Sequence, residues 1–394
     1  MIVLSSILVA LGAYLSGYML YWYLLLFTHF VLPARHSPPG ALTTRFAVLI
    51  PAHDEELLLP RLLESAQKQD YPRQLFTVFV VADNCSDRTA DVARQHGAIA
   101  LERVDASKRG KGYAIRWALD SMKLEEYDAV LIVDADCIIH PNTLRSLDGT
   151  LQEKRAIQCY SGVGNPDDSW FTRLLDVSRT ISNRIYHPAK RRLGLSCHLI
   201  GTGMCFATGL LRAQGWDAFT VGEDLEYYAR LLDKGESVGF DGNARVYHVE
   251  SSSLKQATSQ RMRWSSGRLA VAWSYGANLL LRGAIERNLV KLDAGLSLVL
   301  PNPSLGMNLT LLGLACALVL GATGHGIAFA VWFGVLALTQ LGIFMIGVCY
   351  TEDKLKKLMA VFLAPAFLAW KFGIDALSIF GVGRKKWVRT ERKL

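Results

Sequence analysis

No aspartate, glutamate, lysine or arginine occurs between residues 2 and 31. An uncharged run of that length can cross a bilayer with some tilt, so a fully soluble N-terminus is not expected. Two further absences argue against a cleaved signal peptide: no basic segment precedes the run, and the run is far too long for the apolar part of such a peptide. The seven cysteines show no CxxC spacing, which removes the usual zinc frameworks. Five of them fall in the segment expected to face the cytosol, where free thiols are the default. No GxGxxG turn is present, which argues against a dinucleotide fold. No nucleic-acid-binding module accompanies the net charge of +8, so the basic balance is assigned to the membrane and nucleic acid is not expected as a partner.

The sequence is instead rich in apolar residues, 51% of 394. Two more spans are expected at about 304–322 and 327–349, separated by the turn GATGHG. Residues 355–382 are apolar too, but they contain Pro365, Lys371 and Asp375 and lead into the basic tail RKKWVRTERK. Crossing there would carry that tail outward, against the positive-inside tendency, so an interfacial or re-entrant segment is expected, with Lys371 and Asp375 as an i,i+4 pair. The same rule, applied to Arg35, Lys354, Lys356 and Lys357, puts residues 33–300 in the cytosol of a chain integral to a bacterial-type inner or plasma membrane. Arg261, Arg263, Arg268, Arg282, Arg287 and Lys291 cluster before the second span and are expected to face anionic headgroups. The expected division is a transmembrane helix in 1–34, a cytosolic α/β domain in 35–265, interfacial helices in 266–303, two transmembrane helices in 304–350, and the interfacial or re-entrant segment with its tail in 351–394.

Within the cytosolic part, strand and helix patterns alternate. FAVLIP (46–51), FTVFVVAD (76–83), AIALERV (98–104) and AVLIVD (129–134) read as strands, with helices beginning near Glu56, Arg88 and Gly110. Such a repeat forms a mostly parallel sheet, whose ligands sit beyond the carboxyl ends of the strands. Those ends are acidic here: His53-Asp54-Glu55-Glu56, Asp83, and Asp134 with Asp136. In an extended segment Asp134 and Asp136 would point to the same side, and two anions that close need a cation. Asp136, a hard oxygen donor, suits Mg²⁺ or Mn²⁺, which would neutralise a diphosphate. Lys111 between two glycines is either a phosphate contact at a helix start or an exposed lysine. Glu56 is expected to begin a helix and favour its dipole. Gln260, Arg263 and Trp264 share a helical face; an arginine fork there can grip diphosphate oxygens, and a tryptophan offers a sugar a stacking surface.

The motifs PAHDEE (51–56), ADNCSD (82–87), GKG (110–112), DAD (134–136), GTGMCF (201–206), GED (222–224) and QRMRW (260–264) occur in one order. Over about residues 45–265 the chain resembles the membrane-bound family 2 glycosyltransferases of the cellulose, chitin, hyaluronan and ceramide-glucosyl synthase group. The resemblance implies a GT-A nucleotide-sugar domain, a UDP-sugar donor and a glycan or lipid acceptor. It also implies roles: Glu55 on the ribose, Asp83 on the base, Asp134 near the nucleoside, Asp136 on the metal, and Asp224 as the base that deprotonates the acceptor. Gln260, Arg263 and Trp264 would serve the diphosphate and acceptor, and Gly201, Thr202 and Gly203 would line the acceptor site. The family commonly has Asn where this chain has Asp54. His248 is either a further metal or phosphate contact or a packed strand histidine. In-line displacement would invert the anomer. Whether the product is an exopolysaccharide β-glycan, the reading the motif set favours, or a lipid carrying one sugar stays open.

Overall fold

The computed structural model describes residues 2–35, 37–38, 40–322 and 324–382, so the basic tail at 384–393 lies outside the described residues. Eight strands form one mixed sheet: β1 (Phe46–Ala52), β2 (Phe76–Asp83), β3 (Ile99–Arg103), β4 (Ala129–Ile132), β5 (Cys137–Ile139), β6 (Ala156–Val163), β7 (Met204–Ala207) and β8 (Val238–His248). Their order across the sheet is β3-β2-β1-β4-β7-β6-β8-β5. The four strands with continuous apolar runs make its parallel half, and β7 runs antiparallel between β4 and β6. Both faces are covered, as such runs require. One face packs Ala114, Phe206, Trp216 and Tyr228 under the helices Lys111–Ser121, Thr208–Gln214 and Glu223–Asp233. The other packs Leu62, Leu63, Leu144 and Leu147 from Leu59–Gln67 and Thr143–Thr150.

Two local expectations are corrected. β4 stops at Ile132, so Asp134 and Asp136 lie on the turn into β5 and not in an extended segment. The ladder ends because the Val133 N–H still donates to Leu49 O at 3.0 Å, whereas the Asp134 N–H leaves the sheet for Thr202 Oγ1 at 3.1 Å. The helix expected from Glu56 begins at Leu59, with proline in its first turn. Glu56 instead accepts the backbone N–H of Arg88 at 3.1 Å, ahead of the neighbouring helix Thr89–Gln95.

Three helices, Ile2–Val31, Pro303–Gly321 and Ile327–Cys349, are long and apolar enough to cross a membrane. They approach closely through small residues, as helices in lipid do. A Cβ on Gly313 would stand 2.4 Å from the Phe333 ring, and one on Gly306 3.0 Å from that of Tyr18. Residues beyond 349 fold as Lys354–Val361 and Ala364–Ile379, bent by 61°. Lys371 and Asp375 pair there, and Ser265 of the helix Leu254–Val271 bonds to both.

That helix carries QRMRW and continues past residue 265 into a π-helical turn, Ala272–Gly276, followed by Ala277–Ile285 and Leu289–Val299. Leu279, Ala294 and Leu298 join the core around Tyr228, while Trp273 on the outer side is 90% exposed. Most of the basic residues expected to face headgroups are held within the protein. Arg261 pairs with Glu250, Arg268 donates to the Ser297 and Leu300 carbonyls, Arg282 pairs with Asp233 and Glu286, and Lys291 with Glu286. Lys291 and Arg261 are largely out of water and take internal partners because leaving it unpaired is costly; Arg282 keeps 39% of its side chain exposed, and Arg287 stays exposed. All seven cysteines are free thiols.

Candidate active site

The loops after β1 and β2 hold one another. The Ser86 N–H donates to Asp54 Oδ1 at 2.6 Å, the Glu55 N–H to Thr89 Oγ1 at 2.8 Å, and the Glu56 N–H to Asp87 Oδ2 at 3.1 Å. Asp54 adopts a left-handed backbone, φ 54°, at the tip of this lock. Asp54, Cys85 and Asp87 bring ligand-type atoms within 4.8 Å of one another, but both carboxylates already accept loop hydrogen bonds. At the end of β2, His53 Nδ1 lies 2.7 Å from the Asp83 carbonyl, and Asp83 Oδ1 meets Arg103 at 2.5 Å and Asn84 Nδ2 at 2.9 Å. Burial pushes the Asp83 carboxyl up, and the Arg103 guanidinium offsets only part of that.

Three carboxylates converge beyond the ends of β4 and β7. Lys111, the first residue of its helix, sends Nζ to 2.5 Å from Asp134 Oδ1, 2.5 Å from the Gly201 carbonyl and 3.6 Å from Glu223 Oε1. It is neither exposed nor aimed at open solvent; it is the cation that the acidic cluster requires. Glu223 and Asp224 open the helix Glu223–Asp233, and Asp224 Oδ1 accepts its neighbour Leu225 N–H at 2.8 Å. Burial raises the carboxyls of Asp134, Glu223 and Asp224, with Lys111 pulling the other way.

Gly201 and Gly203 do different things. A Cβ on Gly201 (φ 85°) would stand 3.4 Å from Asp224 Oδ2 and 3.8 Å from Lys111 Nζ, so its bare backbone forms a wall of the centre. On Gly203 a Cβ would stand 2.8 Å from Val246 Cγ2 and 3.0 Å from Cys159 Cβ. Its missing side chain lets β6, β7 and β8 pack. Thr202 takes the Asp134 N–H and lies 3.2 Å from Cys137 Sγ, bracing the acidic turn.

Behind the turn, His248 at the end of β8 lies opposite Cys137 of β5. Its Nε2 is 2.7 Å from Glu250 Oε1, Arg261 reaches Glu250 Oε2 at 2.6 Å, and Arg179 stands 3.9 Å away. The Arg261 guanidinium, with the His248 hydrogen bond and Arg179, holds the buried Glu250 carboxyl well below the usual range despite its burial. The QRMRW helix is fixed to the GED loop by a glycine pair: a Cβ on Gly222 would come within 3.2 Å of the Gly267 backbone. Along it Gln260 is buried, Arg263 half-buried, and Trp264 39% exposed with the Arg261 guanidinium 4.5 Å over its ring.

A family profile described as "Glycosyltransferase like family 2" matches residues 44–267, more than half of the chain. The chain belongs to that family. This family 2 member is 25% identical over 240 residues to a probable glycosyltransferase, YdaM, of Bacillus subtilis strain 168, covering 59% of this chain and 57% of the relative. It is also 25% identical over 236 residues to a β-monoglucosyldiacylglycerol synthase of Trichormus variabilis, covering 56% and 48%. It thus spans about half the length of the curated relatives it matches. Mannosyltransferase PcManGT of Pyrobaculum calidifontis, solved with GDP-Man and Mn²⁺, shares the fold, with TM-score 0.62 and 19% identity over 96% of this chain and 99% of that one.

The donor set suits a divalent cation. Asp136 supplies a hard oxygen on the turn after β4, and Mg²⁺ is commonly held by one or two carboxylates together with substrate phosphates; His248 is committed to Glu250 and is a packed strand histidine. Sequence reasoning missed Arg103, Glu223, Glu250 and Arg179. Arg103 ends β3 beside Glu102 and Glu250 lies two residues past the mixed strand β8, so neither stood out by pattern; Arg179 sits in an amphipathic helix with no mark of its own.

Proposed function

We propose that this family 2 member is an inverting glycosyltransferase that moves one sugar from a UDP-sugar to a membrane lipid at the cytosolic face. The observation that carries the transfer is the centre of Asp134, Glu223 and Asp224 around Lys111 beyond the strand ends. Asp83 and Glu55 hold the nucleoside, and Asp134 and Lys111 border the donor. Asp136 would hold Mg²⁺ or Mn²⁺, whose charge offsets that of the leaving diphosphate. Arg263 grips diphosphate oxygens, Gln260 orients the acceptor, and Trp264 stacks on the sugar. Asp224 takes the acceptor proton; burial raises its carboxyl, so it binds a proton more readily than an ordinary aspartate. It acts as the carboxylate, so turnover rises with pH through that raised value and is lost below it.

The membrane portion favours a lipid acceptor over the β-glycan that the motifs suggested. A sugar polymer needs protein-lined polar groups across the hydrocarbon. Each of Lys371, Asp375, Gln340 and Asn308 makes at least one internal bond: Lys371 with Asp375 Oδ1, Gln340 Nε2 with Thr310 at 2.7 Å, and Asn308 with the Leu368 carbonyl at 3.0 Å, while only Gln340 Oε1 and Asp375 Oδ2 among their buried side-chain atoms lack a partner among the described residues. The three long apolar helices would anchor residues 35–265 at the inner face, with 355–382 as the bent segment beside them. Purified protein offered a panel of UDP-sugars with membrane lipids should release UDP and give a β-linked product, read by NMR of the anomeric proton. An α-linked product would contradict the inverting mechanism.

A further inference from the structure

A cavity of about 220 Å³ lies between the first apolar helix, the π-helical turn Ser182–Tyr186 and the helix Leu289–Val299. Its walls include Trp22, Arg179, Asn183, Arg268, Ser297 and Asn302, and no aspartate or glutamate among the described residues. The two arginines are incompletely neutralised. Arg268 donates to two carbonyls at 3.1 Å, and Arg179 has Glu250 only at 3.9 Å, where that carboxylate already meets Arg261 and His248. His187 Nδ1, also on the wall and buried, has no hydrogen-bond partner among the described residues. Asn183 is fixed to β6 by bonds to both backbone groups of Ser161, which makes this side of the cavity rigid.

The cavity reaches toward the carboxylates at one end and the bilayer at the other. Ile200 lines it, and the next residue, Gly201, faces Asp224. Opposite, Asn302 and Pro303 begin the 19-residue helix Pro303–Gly321. That helix is about 28 Å long at 1.5 Å per residue, close to the hydrocarbon thickness. Its first turn therefore marks the edge of the hydrocarbon.

We propose that this cavity admits the acceptor from the bilayer, and that the acceptor is a phospholipid with a hydroxyl-bearing headgroup, its phosphate held between Arg179 and Arg268. This rests on the lipid-acceptor reading above. The headgroup hydroxyl oxygen bonds to the anomeric carbon, the bond from that carbon to the diphosphate oxygen breaks with its electron pair leaving on UDP, and the proton passes to Asp224. A lipid monophosphate attacking through its own phosphate oxygen would bring a second anion against Asp224, which repulsion disfavours.

The test places the full chain in phosphatidylcholine nanodiscs doped with phosphatidylglycerol, diacylglycerol or a polyprenyl phosphate, and supplies labelled UDP-sugar. Label should appear on phosphatidylglycerol. Arg268→Gln should raise the KM for that lipid about tenfold or more relative to the KM for donor, and Arg268→Lys should restore part of the difference. Label on diacylglycerol or polyprenyl phosphate alone would overturn the phosphate clamp and leave the glycolipid reading standing. A polymer with no labelled lipid would overturn both. Native mass spectrometry of the wild type provides a readout independent of variant folding: phosphatidylglycerol should be retained over phosphatidylcholine, and equal retention would contradict the proposal.

Discussion

The donor side and the acceptor side of the centre are built in opposite ways. The proposed donor side is assembled mainly from the ends of β1, β2 and β4, each followed at once by its polar loop, with Lys111 brought to it from the start of its helix. The acceptor side draws on segments far apart in the chain: Trp22, Arg179, Arg268 and Ser297 meet in one cavity. Local construction makes the donor side readable from motifs. Long-range construction lets the acceptor side change with the membrane helices while the chemistry stays put.

The comparison can be broken by substitutions, beginning with the largest expected effect. Asp136→Asn should abolish cation-dependent turnover without unfolding the chain, since it removes ligand charge where diphosphate charge develops; full turnover in EDTA would contradict this. Asp224→Asn should lower transfer by about 10²- to 10⁴-fold with the KM for donor little changed, the usual worth of a positioned base. If donor affinity collapsed while turnover at saturation survived, Asp224 would belong to the donor side instead.

The join between the two sides is tested by Glu250, which is 3% exposed and faces Arg261, His248 and Arg179. Glu250→Gln leaves Arg261 and Arg179 without their counter-charge and should cost about 3–5 kcal/mol, read as a drop in melting temperature in detergent. An unchanged melting temperature would mean that the sides are not coupled there. Lys111→Gln has the subtlest expected effect. Lys111 holds the neighbouring carboxyls down against their burial, so its loss should move the acid limb of the pH–rate profile upward. A limb that stayed in place would mean that Lys111 does not set the protonation of Asp224.

The same contrast explains what could be read from the sequence. β1 and β2 and the three long apolar helices lie within a residue or so of their expected ranges, because continuous apolar runs leave little choice of structure. β5 to β8 were not anticipated as a sheet: β5 has three residues, β7 has four, and their pairing depends on contacts with strands far off in sequence. Asp134, Asp224 and Lys111 were visible as motif residues, but that Lys111 is the cation between the acidic groups follows only from how its helix meets the Gly201 loop. Gly203 looked identical in kind to Gly201 until Val246 filled the space beside it. The internal partners of Arg261 and Arg268 were not legible because Glu250 and the carbonyls of 297 and 300 lie on other elements.

The most direct test of the central claim, one sugar passed from the donor side to a lipid on the membrane side, is the product size as donor is raised. Purified protein in lipid nanodiscs should convert its lipid into a single species heavier by one sugar, with no longer product at any UDP-sugar concentration. A ladder of oligosaccharides lengthening with donor would contradict the account and return the chain to β-glycan synthesis.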